Sequence, residues 1–256
     1  MCLILLAWQA HPVYRLVLAA NRDERHARPS LPADWWPQAP DVGGGRDLAG
    51  GGTWLGITRQ GRFAALTNHR NLRLDAPSGE SRGGLVADFL TSQQAALPYV
   101  QQVSAQRTRW APFNLLASSG DQLIAYGSAG TAPPQVLRDG VHGLSNHLPD
   151  TPWPKVVRGS AALHRALDQA TTEDALCTGL FALLDDRQVA ADADLPDTGL
   201  PLPRERALSA AMIVDPDYGT RCATVLLWRH DGTWMLQERS FDCAGTPTIM
   251  RTLRHP

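Results

Sequence analysis

Lysine is almost missing from this chain. Lys155 is the only one in 256 residues, and arginine fills the rest of the 24 lysine-plus-arginine positions. A GC-rich coding genome produces that bias, so the arginine excess is not read as phosphate recognition. Net charge is missing too: 25 acidic residues leave a formal balance of −1, which gives no field to draw nucleic acid or an anionic membrane surface. Cysteine is scarce. Cys2, Cys177, Cys222 and Cys243 are widely spaced, with no Cys-x-x-Cys and no Cys/His pairing at zinc-site spacing. That excludes a small disulfide scaffold and leaves no metal site or cofactor motif to expect. No stretch approaches the ~20 apolar residues that span a bilayer. The apolar N-terminus lacks a basic flank and is interrupted by His11-Pro12, so it does not read as a signal peptide. The cytoplasm is the expected compartment.

What is present is ordinary globular composition, 43% hydrophobic and 19% charged, read as one domain over residues 1–256. Within it Cys2 stands out. It follows Met1 directly and opens an apolar run to Trp8. Cys is small enough for a methionine aminopeptidase to remove Met1. The chain would then begin with a residue carrying both a thiol and an α-amine, whose reference pKa near 8 leaves a useful neutral fraction at pH 7. Such a residue is a self-contained nucleophile and base. The plainer reading is a small buried hydrophobe.

Residues 2–8 and 13–20 read as strands joined by a turn at 9–12, and residues 53–58 and 62–68 as a second hairpin. Between them, residues 25–52 carry Pro29, Pro32, Pro37, Pro40, two adjacent tryptophans and two triple-glycine runs. They read as a long ordered loop. Two helical segments are expected over 83–104, a third hairpin over 113–126, a short strand over 141–146, and helices over 154–168 and 172–185, with Thr172 as a cap. Residues 186–208 read as a surface loop or a lid. Strands are expected over 209–214, 220–229 and 233–241, the last two turning at Asp231-Gly232. Strand pairs, then helices, then strands again give an α+β class, two antiparallel sheets with helices outside.

Hairpin counting brings residues near 19–20 opposite Cys2, to within about two positions, so Asn21, Arg22, Asp23 and Glu24 converge on it. A carboxylate there could bind the α-ammonium, and a guanidinium would favour the thiolate. Asn68-His69 and Asn146-His147 each end a strand. An Asn amide can donate to an oxyanion, and equally can form a turn; the histidines could be bases, ligands or surface residues. Arg221 opens a strong apolar strand and needs a carboxylate, a phosphate or solvent. Gly43–Asp47 with Gly50–Gly52 could form an anion-binding nest.

Taken together, Met1-Cys2, Asn21-Arg-Asp-Glu24, Gly51-Gly-Thr-Trp-Leu-Gly56, Ala65-Leu-Thr-Asn-His-Arg70, Gly143-Leu-Ser-Asn146 and Gly219-Thr-Arg221 resemble the NRDE family, also called the transport and Golgi organisation 2 family. The resemblance implies a four-layer αββα sandwich of the N-terminal-nucleophile hydrolase kind. Within that fold it is similar to the choloylglycine hydrolase and penicillin V acylase group, which cleaves linear amides with an N-terminal Cys. Those enzymes end the second strand with Arg-Asn-x-Asp; here Asn21 and Asp23 match, Ala20 occupies the Arg position, and Arg22 falls on the variable one. The implied catalytic set is Cys2, Asp23, Asn146, Asn68, Arg22 and Arg221, with Asn21, Trp54, His69 and His147 toward the substrate. The expected partner is a small acyl or amide substrate. The family's link to haem handling and to lipid or acyl-CoA metabolism implies the alternative, a non-catalytic binder of haem or an acyl-CoA-like ligand.

Overall fold

Cys2–Trp8 is apolar at every position, which is the pattern of a strand covered on both faces. The computed structural model, which describes residues 2–74 and 79–255, makes it the strand β1. It pairs antiparallel with β2 (Tyr14–Arg25) on one side and β10 (Gly140–Leu144) on the other. β11 (Tyr218–Arg229), β12 (Trp234–Phe241) and β13 (Pro247–His255) complete a six-stranded sheet in the order β10-β1-β2-β11-β12-β13. The second sheet has seven strands in chain order: β3 (Ser30–Trp36), β4 (Ala39–Asp47), β5 (Leu55–Thr58), β6 (Phe63–Asn68), β7 (Phe113–Ser118), β8 (Leu123–Gly127) and β9 (Gln135–Val136). Every named pairing in both sheets is antiparallel.

Strand alternation sorts the apolar side chains into three layers. Ile4, Leu6, Leu18 and Leu226 of the first sheet meet Ile57, Phe63 and Leu116 of the second, so one core lies between the sheets. Leu3, Leu5, Val17 and Val225 face the other way, onto helices α3 (Pro154–Gln169) and α4 (Glu173–Leu184). Ala64, Leu66, Phe113 and Leu115 face α1 (Gly83–Thr91) and α2 (Ala96–Ala105). The architecture is the expected α+β, αββα sandwich. Thr172 caps α4 by accepting a hydrogen bond from the Ala175 backbone N–H at 3.1 Å.

Three expectations are corrected. Residues 25–52 are largely extended, not an irregular loop: β2 runs on to Arg25, and β3 and β4 form a hairpin. Pro32 is tolerated because β3 is an edge strand. Residues 209–214 form no strand. They are an irregular segment, buried up to Ile213 and exposed at Val214, where the Met212 N–H donates to the Asp186 carbonyl and the Ile213 N–H to the Thr220 hydroxyl. The closing strand is instead β13. In the 186–208 segment, residues Leu202–Ala207 form a short helix, α5.

Asn21 ties these layers together. It is fully buried on the helix-facing side of β2, and its amide donates to the carbonyls of Leu184 at 2.8 Å and Ala211 at 2.9 Å. Asn21→Ala would strand both carbonyls away from water. The expected cost is about 2–4 kcal/mol, measurable as a lower urea midpoint with an unchanged denaturant slope.

Candidate active site at the N-terminal strand end

Cys2 begins β1, and the register places it directly opposite Arg22, two residues beyond the count from the hairpin turn. Arg22 in turn stands opposite Cys222 on β11. Residues directly opposite share a sheet face, so Cys2, Arg22 and Cys222 form a row pointing into the space between the sheets. Their neighbours Asn21 and Asp23 point to the helix layer. There the Thr220 hydroxyl donates to Asp23 Oδ1 at 2.7 Å. The register holds because β11 carries a bulge: Thr220 pairs with Asp23 and Cys222 with Arg22, leaving Arg221 as the extra residue.

Cys2 is 8% exposed and lines a cleft of about 460 Å³ together with Arg22, Asp23, Trp54, Asn68 and Arg82. Burial, joined by the Asp23 carboxylate, holds its thiol pKa above the ordinary value; the Arg22 guanidinium and a hydrogen bond with the Asp23 backbone act the other way. Across the cleft mouth, Asp47 Oδ2 pairs with Arg22 at 3.2 Å and with Arg28 at 2.7 Å. Burial also pushes the Asp47 carboxyl up. The Arg28 hydrogen bond, the Gly50 backbone N–H and the charges of Arg28 and Arg22 outweigh it, so its pKa lies below the ordinary value. The glycine-rich nest is therefore filled from within: Asp47 Oδ1 accepts the N–H groups of Ala49 at 3.0 Å and Gly50 at 2.9 Å. Gly52 lets this loop meet the start of α1. A Cβ there would lie 2.3 Å from the Gly83 carbonyl.

The remaining expected residues separate into distinct places. Asn68 and Trp54 line the cleft. Asn146 is buried behind it, its amide donating to the Asn68 carbonyl at 2.9 Å, while the neighbouring Ser145 hydroxyl donates to the Cys2 carbonyl at 3.1 Å. Asn146 thus joins the end of β10 to the end of β6. His69 and His147 stack on each other, ring centroids 4.9 Å apart, and His147 also stacks on Trp153. Burial and the His147 charge push the His69 pKa down to about 4. Neither ring lines the cleft. Arg221 turns from Cys2 to hold the 25–30 turn, donating to the carbonyls of Arg25 at 2.9 Å and Arg28 at 3.0 Å. Asn21 is committed to Leu184 and Ala211 as described. Asp47, Arg28, Arg82 and Ser145 are not marked as site residues by the sequence alone, although Asp47 lies in the glycine-rich stretch and Ser145 in the Gly143-Leu-Ser-Asn146 motif. Among the described residues, no group of three or more His, Cys, Asp or Glu side chains is arranged to hold a metal ion, and no helix is long and apolar enough to cross a membrane.

The family model described as "Transport and Golgi organisation 2" matches residues 1–243. The chain belongs to that family. It is 38% identical over 276 residues to the Transport and Golgi organization protein 2 homolog of Bos taurus, spanning 100% of this chain and 98% of that one. It is 37% identical to the Homo sapiens homolog over 261 residues (94% and 93% of the two chains) and 30% identical to the Drosophila melanogaster protein over 248 residues (89% and 87%). Among solved structures, a Caenorhabditis elegans N-acylethanolamine-hydrolyzing acid amidase ortholog superposes with a TM-score of 0.48 at 10% identity, covering 88% of this chain and 92% of that one.

The Asp47 carboxylate offsets the guanidinium that faces Cys2. Asp47→Asn makes the cleft mouth more positive, so the Cys2 thiol should ionise more easily. Its alkylation by iodoacetamide at pH 7 should rise roughly threefold to tenfold. Because the Asp47 pKa is depressed in the folded chain, its contribution to stability is present above the ordinary carboxylate range. That contribution is lost as pH falls through the depressed value. Acid unfolding of the Asn variant should therefore lack this component.

Proposed function

We propose that the chain, once Met1 is removed, is an N-terminal-cysteine hydrolase acting on a linear amide or a related acyl bond. The observation that carries this reading is the position of Cys2: it lines a cleft at a strand end, opposite an arginine on the same sheet face. The thiol proton passes to the α-amine of Cys2, and the Arg22 guanidinium favours the thiolate that remains. Sulfur attacks the acyl carbon. The oxyanion that develops meets the Asn68 amide, whose backbone Asn146 fixes. The C–N bond then breaks, and the leaving nitrogen takes the proton from the α-ammonium. Water attacks the thioester, gives its proton to the same amine, and the carboxylic acid leaves as the thiol reforms. Asp23 orients the amine through both half-reactions. A reducing compartment such as the cytoplasm suits this use, since none of the four cysteines is in a disulfide.

Intact-mass measurement of the purified protein should show loss of Met1. A panel of N-acyl amides and activated acyl esters should yield a mass adduct on Cys2 and free amine or alcohol in solution. Cys2→Ala should keep its thermal unfolding transition and lose turnover by a factor of at least about 10³. Full turnover in that variant, or a retained Met1, would overturn the reading. Saturable binding of haem or an acyl-CoA without turnover would favour the non-catalytic alternative.

A further inference from the structure

The only lysine in the chain sits where a lysine is least expected. Lys155 is 2% exposed and lies in the first turn of α3, packed against the helix-facing side of the first sheet. Three features of the position oppose a cation. Burial removes its hydration, and its Nζ makes no hydrogen bond to any described residue. The helix N-terminus carries positive partial charge. The Arg70 guanidinium is a like-charged neighbour, lying 4.7 Å from the ring of Trp153, the residue before α3. Burial, then Arg70, lower its pKa, while Asp23 and Cys2 raise it, leaving it at about 8. Arginine fills the other long basic positions in this chain, and arginine keeps its charge under all these conditions.

The charged and titratable groups facing Lys155 are therefore Asp23 from β2, Cys2 from β1 and Arg70 from the segment after β6. Glu205 of α5 pairs with Arg70 at 3.0 Å, and Tyr218 of β11 acts on both Arg70 and Asp23. Lys155 is the largest of the influences that lower the Asp23 pKa against its burial, ahead of the Thr220 hydrogen bond and the Arg22 charge. We infer that Lys155 is a positioning residue of the Cys2 site: its charge partly neutralises Asp23, so that Asp23 orients the Cys2 α-amine without locking it as an ammonium. This inference rests on the hydrolase reading, because only a chain that begins at Cys2 has that amine. Removing the positive charge raises the proton affinity of the amine–carboxylate pair and of the thiol, and the free base becomes scarce at neutral pH.

The test uses acetaldehyde, which condenses with an N-terminal cysteine into a thiazolidine, losing one water and requiring the neutral amine together with the thiol. Its rate is followed against pH by intact mass. Lys155→Met should move the midpoint up by about one unit and slow the reaction at pH 7 about tenfold, while Lys155→Arg, which keeps the charge, should restore most of the rate. A purely structural lysine would alter the unfolding temperature and leave the midpoint in place; a folded Lys155→Met with an unmoved midpoint overturns the inference. If Lys155→Met does not fold, the wild type still decides. With one lysine, ¹³Cε-lysine labelling gives a single side-chain signal, expected to titrate near 8 and to shift when Cys2 is capped as the thiazolidine. A signal that titrates as an ordinary lysine, unmoved by capping, overturns the assignment. Retained Met1 overturns both this role and the hydrolase reading, whereas a processed, reactive Cys2 whose midpoint ignores Lys155 overturns this role alone.

Discussion

The period-two alternation of β2 is the constraint on which the site depends. Asn21, Arg22 and Asp23 are consecutive, yet the pleat sends them to different chemistry. Arg22 joins Cys2 and Cys222 between the sheets. Asn21 and Asp23 face the helices, where Asn21 holds the end of α4 and the 211 segment, and Asp23 meets Thr220. A one-residue slip of β2 against β1 would exchange these roles. The Arg221 bulge pins the register on the other side, and Arg221 itself fastens the turn that leads into β3. Fold and site are therefore specified by the same hydrogen-bond ladder.

Charge at this end of the sandwich includes two groups of alternating sign. In front of the sheet, Asp47 lies between Arg22 and Arg28. Behind it, Lys155 faces Asp23, and Arg70 pairs with Glu205. Charges withdrawn from water gain little net stability from such pairing, while removing one partner leaves its neighbour uncompensated. Apolar side chains of similar volume would hold these elements together at least as well. What the charges add is control over protonation. The front group acts on the thiol and the rear group on the carboxylate nearest the N-terminus. The two groups also reach each other across the sheet: Asp23 raises the Cys2 thiol pKa and Arg22 lowers that of Asp23.

Much of this was legible from residues alone, and the failures have physical causes. The β1–β2 hairpin, both helix pairs and the return of β2 to Cys2 follow from apolar periodicity and turn residues, but it is Arg22 that stands opposite Cys2, while Asn21 faces the helices. The β3–β4 hairpin was hidden by Pro32, by its tryptophans and by Gly43–Gly45, a composition that signals loop. At a sheet edge a missing N–H costs nothing, and the glycines of β4 let Trp35 and the β5 backbone approach closely. Residues 209–214 look like a strand because their apolar run is mostly buried, yet they pair with no strand among the described residues, and Asp186 and Thr220 take the Met212 and Ile213 N–H groups instead. Asp47 and Lys155 escaped because their roles arise from contacts between sheets and between sheet and helix. Such contacts leave no spacing in sequence.

The arginine that departs from the amidase pattern can now be placed in space. Positions 20 and 22 differ by one full pleat, about 7 Å along the strand, and point to the same side. Ala20 stands opposite Ile4 and Thr224, inside the core between the sheets. A guanidinium there would lie beneath the thiol, in the row that runs from Ile4 through Thr224 to the buried Glu238. At position 22 it stands beside the thiol, at the level where Asp47 reaches over from the second sheet. The displacement keeps a cation on the face of Cys2 but exchanges a deep position for one at the cleft mouth. A deep arginine would meet whatever enters below the sulfur, whereas Arg22 acts first on the sulfur itself. Asp47 sets how much of that charge the sulfur feels.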